Sequence, residues 1–150
     1  MIAHIQGKLV EKNPTEVVID CGGVGYHINI SLHTYSLLPN SDQIKLFTYL
    51  QVKEDAHTLF GFFEKSEREI FKMLLSVSGI GASIARTMLS SLEPKQIIQA
   101  IASGDVGTVQ SIKGIGIKTS QRVILDLQDK VLKLYDLDEV SMVLNNTNRD

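Results

Sequence analysis

Two copies of one short phrase carry the chemical content of this chain: Ser78-Gly79-Ile80-Gly81 and Lys113-Gly114-Ile115-Gly116, set 35 positions apart. Each closes one apolar, helix-like run and opens another. Glycine on both sides of an apolar residue permits a tight turn. Without a Cβ in the way, the first amides of the following helix can face outward. Those amides have no partner within the helix and sit at the positive end of its dipole, which makes the position an anion site. A single hairpin of this kind is equally consistent with a helix corner kept compact for packing. Two in tandem suggest paired clamps for consecutive phosphates of a nucleic acid strand.

The residues after each hairpin differ. Gly116 is followed at +2 and +6 by Lys118 and Arg122, about one helical turn apart, where both can flank a phosphate, with Thr119 and Ser120 as hydroxyl donors. After Gly81 the equivalent positions are Ser83 and Thr87, with Arg86 nearby, so the first clamp leans more on backbone amides. A second feature is Lys53-Glu54-Asp55-Ala56. Alone it reads as a solvated hairpin tip, and two adjacent carboxylates near a nucleic acid would repel phosphate. Catalytic and metal chemistry find little support. His4, His27, His33 and His57 stand in no ligand spacing, and a metal site needs more ligands than Glu54, Asp55 and His57 offer. No Walker-type Gly-Lys-Ser/Thr loop occurs.

The elements that must hold these residues come in two kinds. Across residues 1–63, apolar and β-branched residues alternate in five runs: Ile2–Lys12, Glu16–Asp20, Tyr26–Ser31, Ile44–Val52 and Thr58–Phe63. Asn13-Pro14, Gly22-Gly23, the Leu38–Ser41 stretch and Glu54–Ala56 separate them. Together with a short helical link near His33–Leu38, they predict a five-stranded OB-like Greek-key barrel, with Gly7, Gly25 and Gly61 at bulges or corners. After Glu64 the period becomes helical. Ser66 to Glu69 reads as a capping box, Pro94 as a first-turn proline and Asp105 as a helix cap. A long final helix should reach about Tyr135, with Val123, Ile124, Leu127, Val131 and Leu134 on its apolar face. Five helices bearing both hairpins thus fill residues 64–135, and residues 136–150 lose periodicity and read as the start of a linker. The fold class is α+β with two domains.

Bulk properties agree with this division. The 150 residues carry a net charge of −2, which argues against a generic polyanion binder. The distribution matters more: residues 1–62 balance at −2, residues 63–134 at +3 and residues 135–150 at −3, so both hairpins lie in the basic segment. One cysteine, Cys21, excludes an internal disulfide and a cysteine-rich metal centre. No signal sequence or bilayer-spanning run is present, so the expectation is a cytoplasmic protein without cofactor or metal.

In combination, the Met1-Ile2 start, the Gly22-Gly23-Val24-Gly25-Tyr26 turn, Lys53-Glu54-Asp55-Ala56, Leu59-Phe60-Gly61-Phe62 and two Gly-Ile-Gly hairpins with Lys118-Thr119 resemble the RuvA family over roughly residues 1–135. The resemblance implies a non-catalytic DNA-binding subunit of the bacterial Holliday-junction branch-migration complex, acting in recombination, repair and the SOS response. It implies a homotetramer, doubling to an octamer on DNA, that holds an open four-way junction, with the RuvB ATPase and RuvC resolvase as partners. Gly79, Ile80, Gly81, Ser83 and Arg86, and Gly114, Ile115, Gly116, Lys118, Thr119 and Arg122, would contact DNA. Glu54 and Asp55 would form an acidic pin at the crossover, with Lys53 touching DNA beside it. Four chains would bring eight carboxylates there, repelling phosphate and favouring strand separation. This chain departs from the family pattern at Ser83, where a basic residue is frequent, and in stopping at Asp150, before the third domain that binds RuvB; a truncated form is expected. The competing readings are a helix-hairpin-helix nuclease or glycosylase, for which Asp126 is the nearest carboxylate after the second hairpin, and a purely structural assembly subunit.

Overall fold

A computed structural model describes residues 1–135. They form two compact units, Met1–Phe71 and a second that begins at Lys72. The expected linker lies outside the described residues.

The first unit is a closed five-stranded barrel ordered β1-β2-β3-β5-β4. Its strands are β1 (His4–Lys12), β2 (Glu16–Cys21), β3 (Val24–Ile30), β4 (Gln43–Val52) and β5 (His57–Phe62), with a short helix α1 (Leu32–Leu37) between β3 and β4. β1 pairs antiparallel with both β2 and β4, while β3 and β5 run parallel and close the ring. Period-two apolar residues fill it: Ile5, Val17, Ile19, Ile28, Ile30, Ile44, Leu46 and Leu59. The OB-like barrel read from the alternation is the observed fold.

Two local expectations are corrected. The bulge in β1 falls at Val10, where the register shifts between Leu9 and Glu11, and not at a glycine. Gly7, beside Lys8 where β1 passes from pairing with β4 to pairing with β2, and Gly61 are places of close approach. A Cβ on Gly7 would collide with the Asp20 carbonyl oxygen, and one on Gly61 would lie 2.5 Å from Ile28 Cγ2. The helix after the barrel, α2 (Lys65–Leu75), also starts earlier than the Ser66 box predicts. Arg68 N donates to Glu64 O, so the chain has already turned helical before Ser66 can act as cap.

What replaces that box is buried. Glu67, completely shielded from solvent, accepts from Ser31 Oγ and Thr34 Oγ1, each at 2.5 Å. Ser31 Oγ also accepts from Thr34 N as the N-cap of α1, and Thr34 Oγ1 accepts from Phe63 N. One carboxylate thereby ties α1 and the end of β5 to the first turn of α2. Burial pushes the Glu67 carboxyl above its ordinary value, against the lowering effect of the two hydroxyl bonds and of His33. On the neighbouring turn, Phe71 is fully buried against Phe62, Phe60 and Tyr49 at ring-centre distances of 4.9, 5.3 and 5.5 Å. Burying such a ring contributes about 1.5–3 kcal/mol.

The second unit contains α3 (Ala82–Ser91), α4 (Pro94–Ser103), α5 (Val106–Gln110) and α6 (Ile117–Leu134). Pro94 sits in the first turn of α4 as expected, behind a Glu93/Gln96 capping box. Asp105 caps α5 by accepting from Thr108 N and Oγ1. Val123, Leu127 and Val131 form the buried stripe of α6. Leu134, expected on that stripe, is 63% exposed although Val131, about one turn earlier, is fully buried.

Candidate nucleic-acid interface

Both hairpins are built the same way. In the first, Ile80 N donates to Val77 O at 3.1 Å; in the second, Ile115 N donates to Ile112 O at 3.2 Å. Each bond closes a four-residue turn whose third residue is the leading glycine, with φ of +94° at Gly79 and +91° at Gly114. A side chain there would be strained, which explains the first glycine of each phrase. Ile80 and Ile115, the fourth residues, are buried and anchor the turns.

The second glycine has no such reason. Gly81 and Gly116 are the N-caps of α3 and α6, in ordinary extended backbone (φ −92°, ψ −179° and φ −83°, ψ 173°). A Cβ on either would meet nothing within 4 Å. Ser, Thr, Asp or Asn would cap these helices better, so the fold alone does not account for glycine. Neither N-cap supplies a side-chain acceptor. Helical bonding begins with Ala85 N to Gly81 O and Ser120 N to Gly116 O, leaving the three preceding amides of each helix without an intrahelical acceptor.

The hairpins also face each other reciprocally. A Cβ on Gly79 would lie 3.5 Å from Thr119 Oγ1, and one on Gly114 would lie 3.9 Å from Ile84 Cδ1. Thr119 is five residues after Gly114 and Ile84 five after Gly79, as an approximate two-fold relation between the repeats requires. The structure therefore gathers the expected residues of both hairpins into one unit.

Side chains distinguish the two. Ser83 and Lys118 are exposed at equivalent positions, the second residues of α3 and α6. Arg86 is half-buried on α3. Arg122, one turn beyond Lys118, is exposed but engaged: its Nε lies 3.4 Å from Asp126 Oδ2. The sequence reading set a catalytic role for Asp126 against a solvent-facing one on an amphipathic helix and missed this pairing, although the i,i+4 spacing from Arg122 signals it.

The acidic turn belongs to the other unit. Lys53 N donates to Ala56 O at 2.8 Å and Ala56 N to Lys53 O at 3.4 Å, so Glu54 and Asp55 form the two-residue tip joining β4 and β5. Lys53, Glu54, Asp55 and the flanking Val52 are all exposed. Among the described residues no group of three or more His, Cys, Asp or Glu side chains is arranged to hold a metal ion, and no helix is long and apolar enough to cross a membrane.

A closed OB-like barrel followed by a tandem of helix-hairpin-helix motifs defines the class of this protein. Residues 1–61 match the RuvA N terminal domain and residues 71–129 the SAM-like Helix-hairpin-helix tandem. The whole chain is 77% identical to the Holliday junction branch migration complex subunit RuvA of Flavobacterium psychrophilum and 64% identical to that of Christiangramia forsetii, spanning 78% of each. It is 56% identical to the Cytophaga hutchinsonii protein of that name over 133 residues, 89% of this chain and 67% of that relative. The chain belongs to the RuvA family.

Proposed function

We propose that this chain is the DNA-binding subunit of a Holliday-junction branch-migration complex, and that it grips the arms of a four-way junction through its two hairpins. The observation that carries this reading is the pair Gly81 and Gly116, open to solvent at two uncapped helix N-termini with no requirement for glycine inside the chain. A phosphate backbone approaching within hydrogen-bond distance of the amides is what a side chain there would block. Contacts of this kind go to backbone and carry no sequence information, so recognition is of DNA shape.

The site residues divide by role. Gly79, Ile80, Gly114 and Ile115 shape the turns, while Gly81, Gly116, Ser83 and Thr119 present amides and hydroxyls. Lys118, Arg122 and Arg86 supply charge, and the second hairpin is the stronger clamp. Glu54 and Asp55 act by the opposite sign: gathered by a homotetramer around the crossover, they repel phosphate and hold the centre open, with Lys53 retaining a nearby strand. The chain does no chemistry on DNA. Energy from ATP enters through RuvB, and resolution falls to RuvC. The place of action is the cytoplasm, where the bacterial chromosome lies.

The test is competition in a gel-shift assay between a labelled four-way junction and linear duplex of equal length. The junction is expected to win by at least ~100-fold, and affinity should fall steeply with salt as counterions are released. Equal affinity for the two DNAs overturns the reading.

A further inference from the structure

The two repeats can be compared position by position at their offset of 35 residues. Along one edge of α3 the first repeat has Ser83, Thr87 and Ser91, three hydroxyls one turn apart. At the equivalent places on α6 the second has Lys118, Arg122 and Asp126: two cations and then an anion. The hydroxyls are turned onto their own helix, Thr87 Oγ1 donating to Ser83 O and Ser91 Oγ to Thr87 O. These α6 side chains make no such bond to backbone carbonyls among the described residues. Asp126 Oδ2 stands 3.4 Å from Arg122 Nε, and Lys118 has no ion pair among the described residues.

Asp126 thus offers Arg122 an oxygen acceptor where the binding reading brings a phosphate oxygen. A guanidinium Nε–H directed at Asp126 is not directed at DNA. The arginine side chain is 57% exposed, so the pair is screened by water and easily exchanged. Asp126 also precedes Lys130 by one turn, a second cation that its charge offsets.

We infer that Asp126 is a positioning residue for DNA binding: an internal competitor that holds Arg122 when DNA is absent and yields it to a phosphate. The consequence is a second clamp whose cation is parked on its own helix when DNA is absent. Affinity for any duplex is lowered, and a junction that presents several arms to an assembly is weakened once for each arm engaged. This rests on α6 binding phosphate, and the test separates the two ideas.

The experiment measures affinity of the 150-residue chain for a four-way junction and for a linear duplex, in the wild type and in D126N, R122A and R122A/D126N, at low and high salt. Because both side chains are on the helix surface, all variants are expected to keep the wild-type circular dichroism, and D126S serves as a second replacement. D126N should tighten duplex binding about three-fold at low salt, and the gain should shrink as salt rises. In the R122A background the same change should alter affinity by less than about 1.5-fold. In the free protein, the Arg122 Nε–H resonance should shift on D126N. An undiminished gain in R122A shows that Asp126 repels DNA directly and overturns the proposal, as does an unchanged affinity in D126N. If R122A binds as tightly as the wild type, it is the phosphate-binding role of α6 that fails.

Discussion

Glu67 shows how far a residue's role can lie from its sequence neighbourhood. In Ser66-Glu67-Arg68-Glu69 it reads as one of several surface charges at a helix start, and nothing local marks it for burial. Its partners, Ser31 and Thr34, come from more than 30 positions away and meet it only once the barrel has closed. Removing the carboxylate in Glu67→Ala leaves two fully buried hydroxyls without their acceptor, and a loss of about 1–3 kcal/mol is expected in urea denaturation. The pH dependence has a definite sign. The folded protein holds the Glu67 proton more tightly than the unfolded chain, whose carboxyl titrates near 4.5. This group's contribution is therefore most favourable below that value and declines as pH rises through the raised folded pKa. Glu67→Gln, which cannot ionise, should flatten the fall of stability with pH above 4.5; an unchanged profile would show that Glu67 does not titrate in that window.

The hairpin phrase, as an element, assigns its two glycines to different causes and so can be taken apart by mutation. Gly114→Ala places a Cβ at φ +91°, and a destabilisation of about 1–2 kcal/mol is expected on thermal unfolding. Gly116→Ser meets no atom within 4 Å and installs a better N-cap, so stability should hold or rise by a few tenths of a kcal/mol. Its DNA affinity should nevertheless fall, because the new side chain stands where the phosphate approaches. A Gly116→Ser protein that binds DNA normally would remove the main support for the interface. The elements themselves were largely legible. Strict alternation and clear turn residues located all five strands to within two residues, and the repeated phrase located both hairpins. The reciprocal packing of Gly79 on Thr119 and Gly114 on Ile84 was not legible, since it depends on how two similar pieces of chain meet. Boundaries slipped where a tertiary contact outweighed a local signal, as at the start of α2.

For the whole molecule the proposal joins attraction at the arms with repulsion at the crossover. The tip residues Glu54 and Asp55 are exposed and make no contact that the fold needs, so changing them tests repulsion without disturbing the barrel. With Glu54→Gln and Asp55→Asn combined, junction affinity should stay the same or tighten several-fold, and a 2-aminopurine placed at the crossover should dim as its base restacks. A marked loss of junction binding would contradict the repulsive role. The family and the barrel followed by helical hairpins were both evident from the sequence. A role for the acidic tip is not legible in the residues themselves, because two adjacent carboxylates at a solvated tip look the same whether or not anything approaches them.

The reciprocal contact between the repeats also constrains movement. Each hairpin's turn lies against the helix that follows the other, and on the proposed reading the two hold DNA as a pair. A unit of this kind has the gait of a single foot: it cannot advance along a duplex by lifting one hairpin while the other stays planted. On the proposed reading, travel of DNA past it breaks both holds together, and the weaker the individual holds, the lower the friction against a motor that pulls.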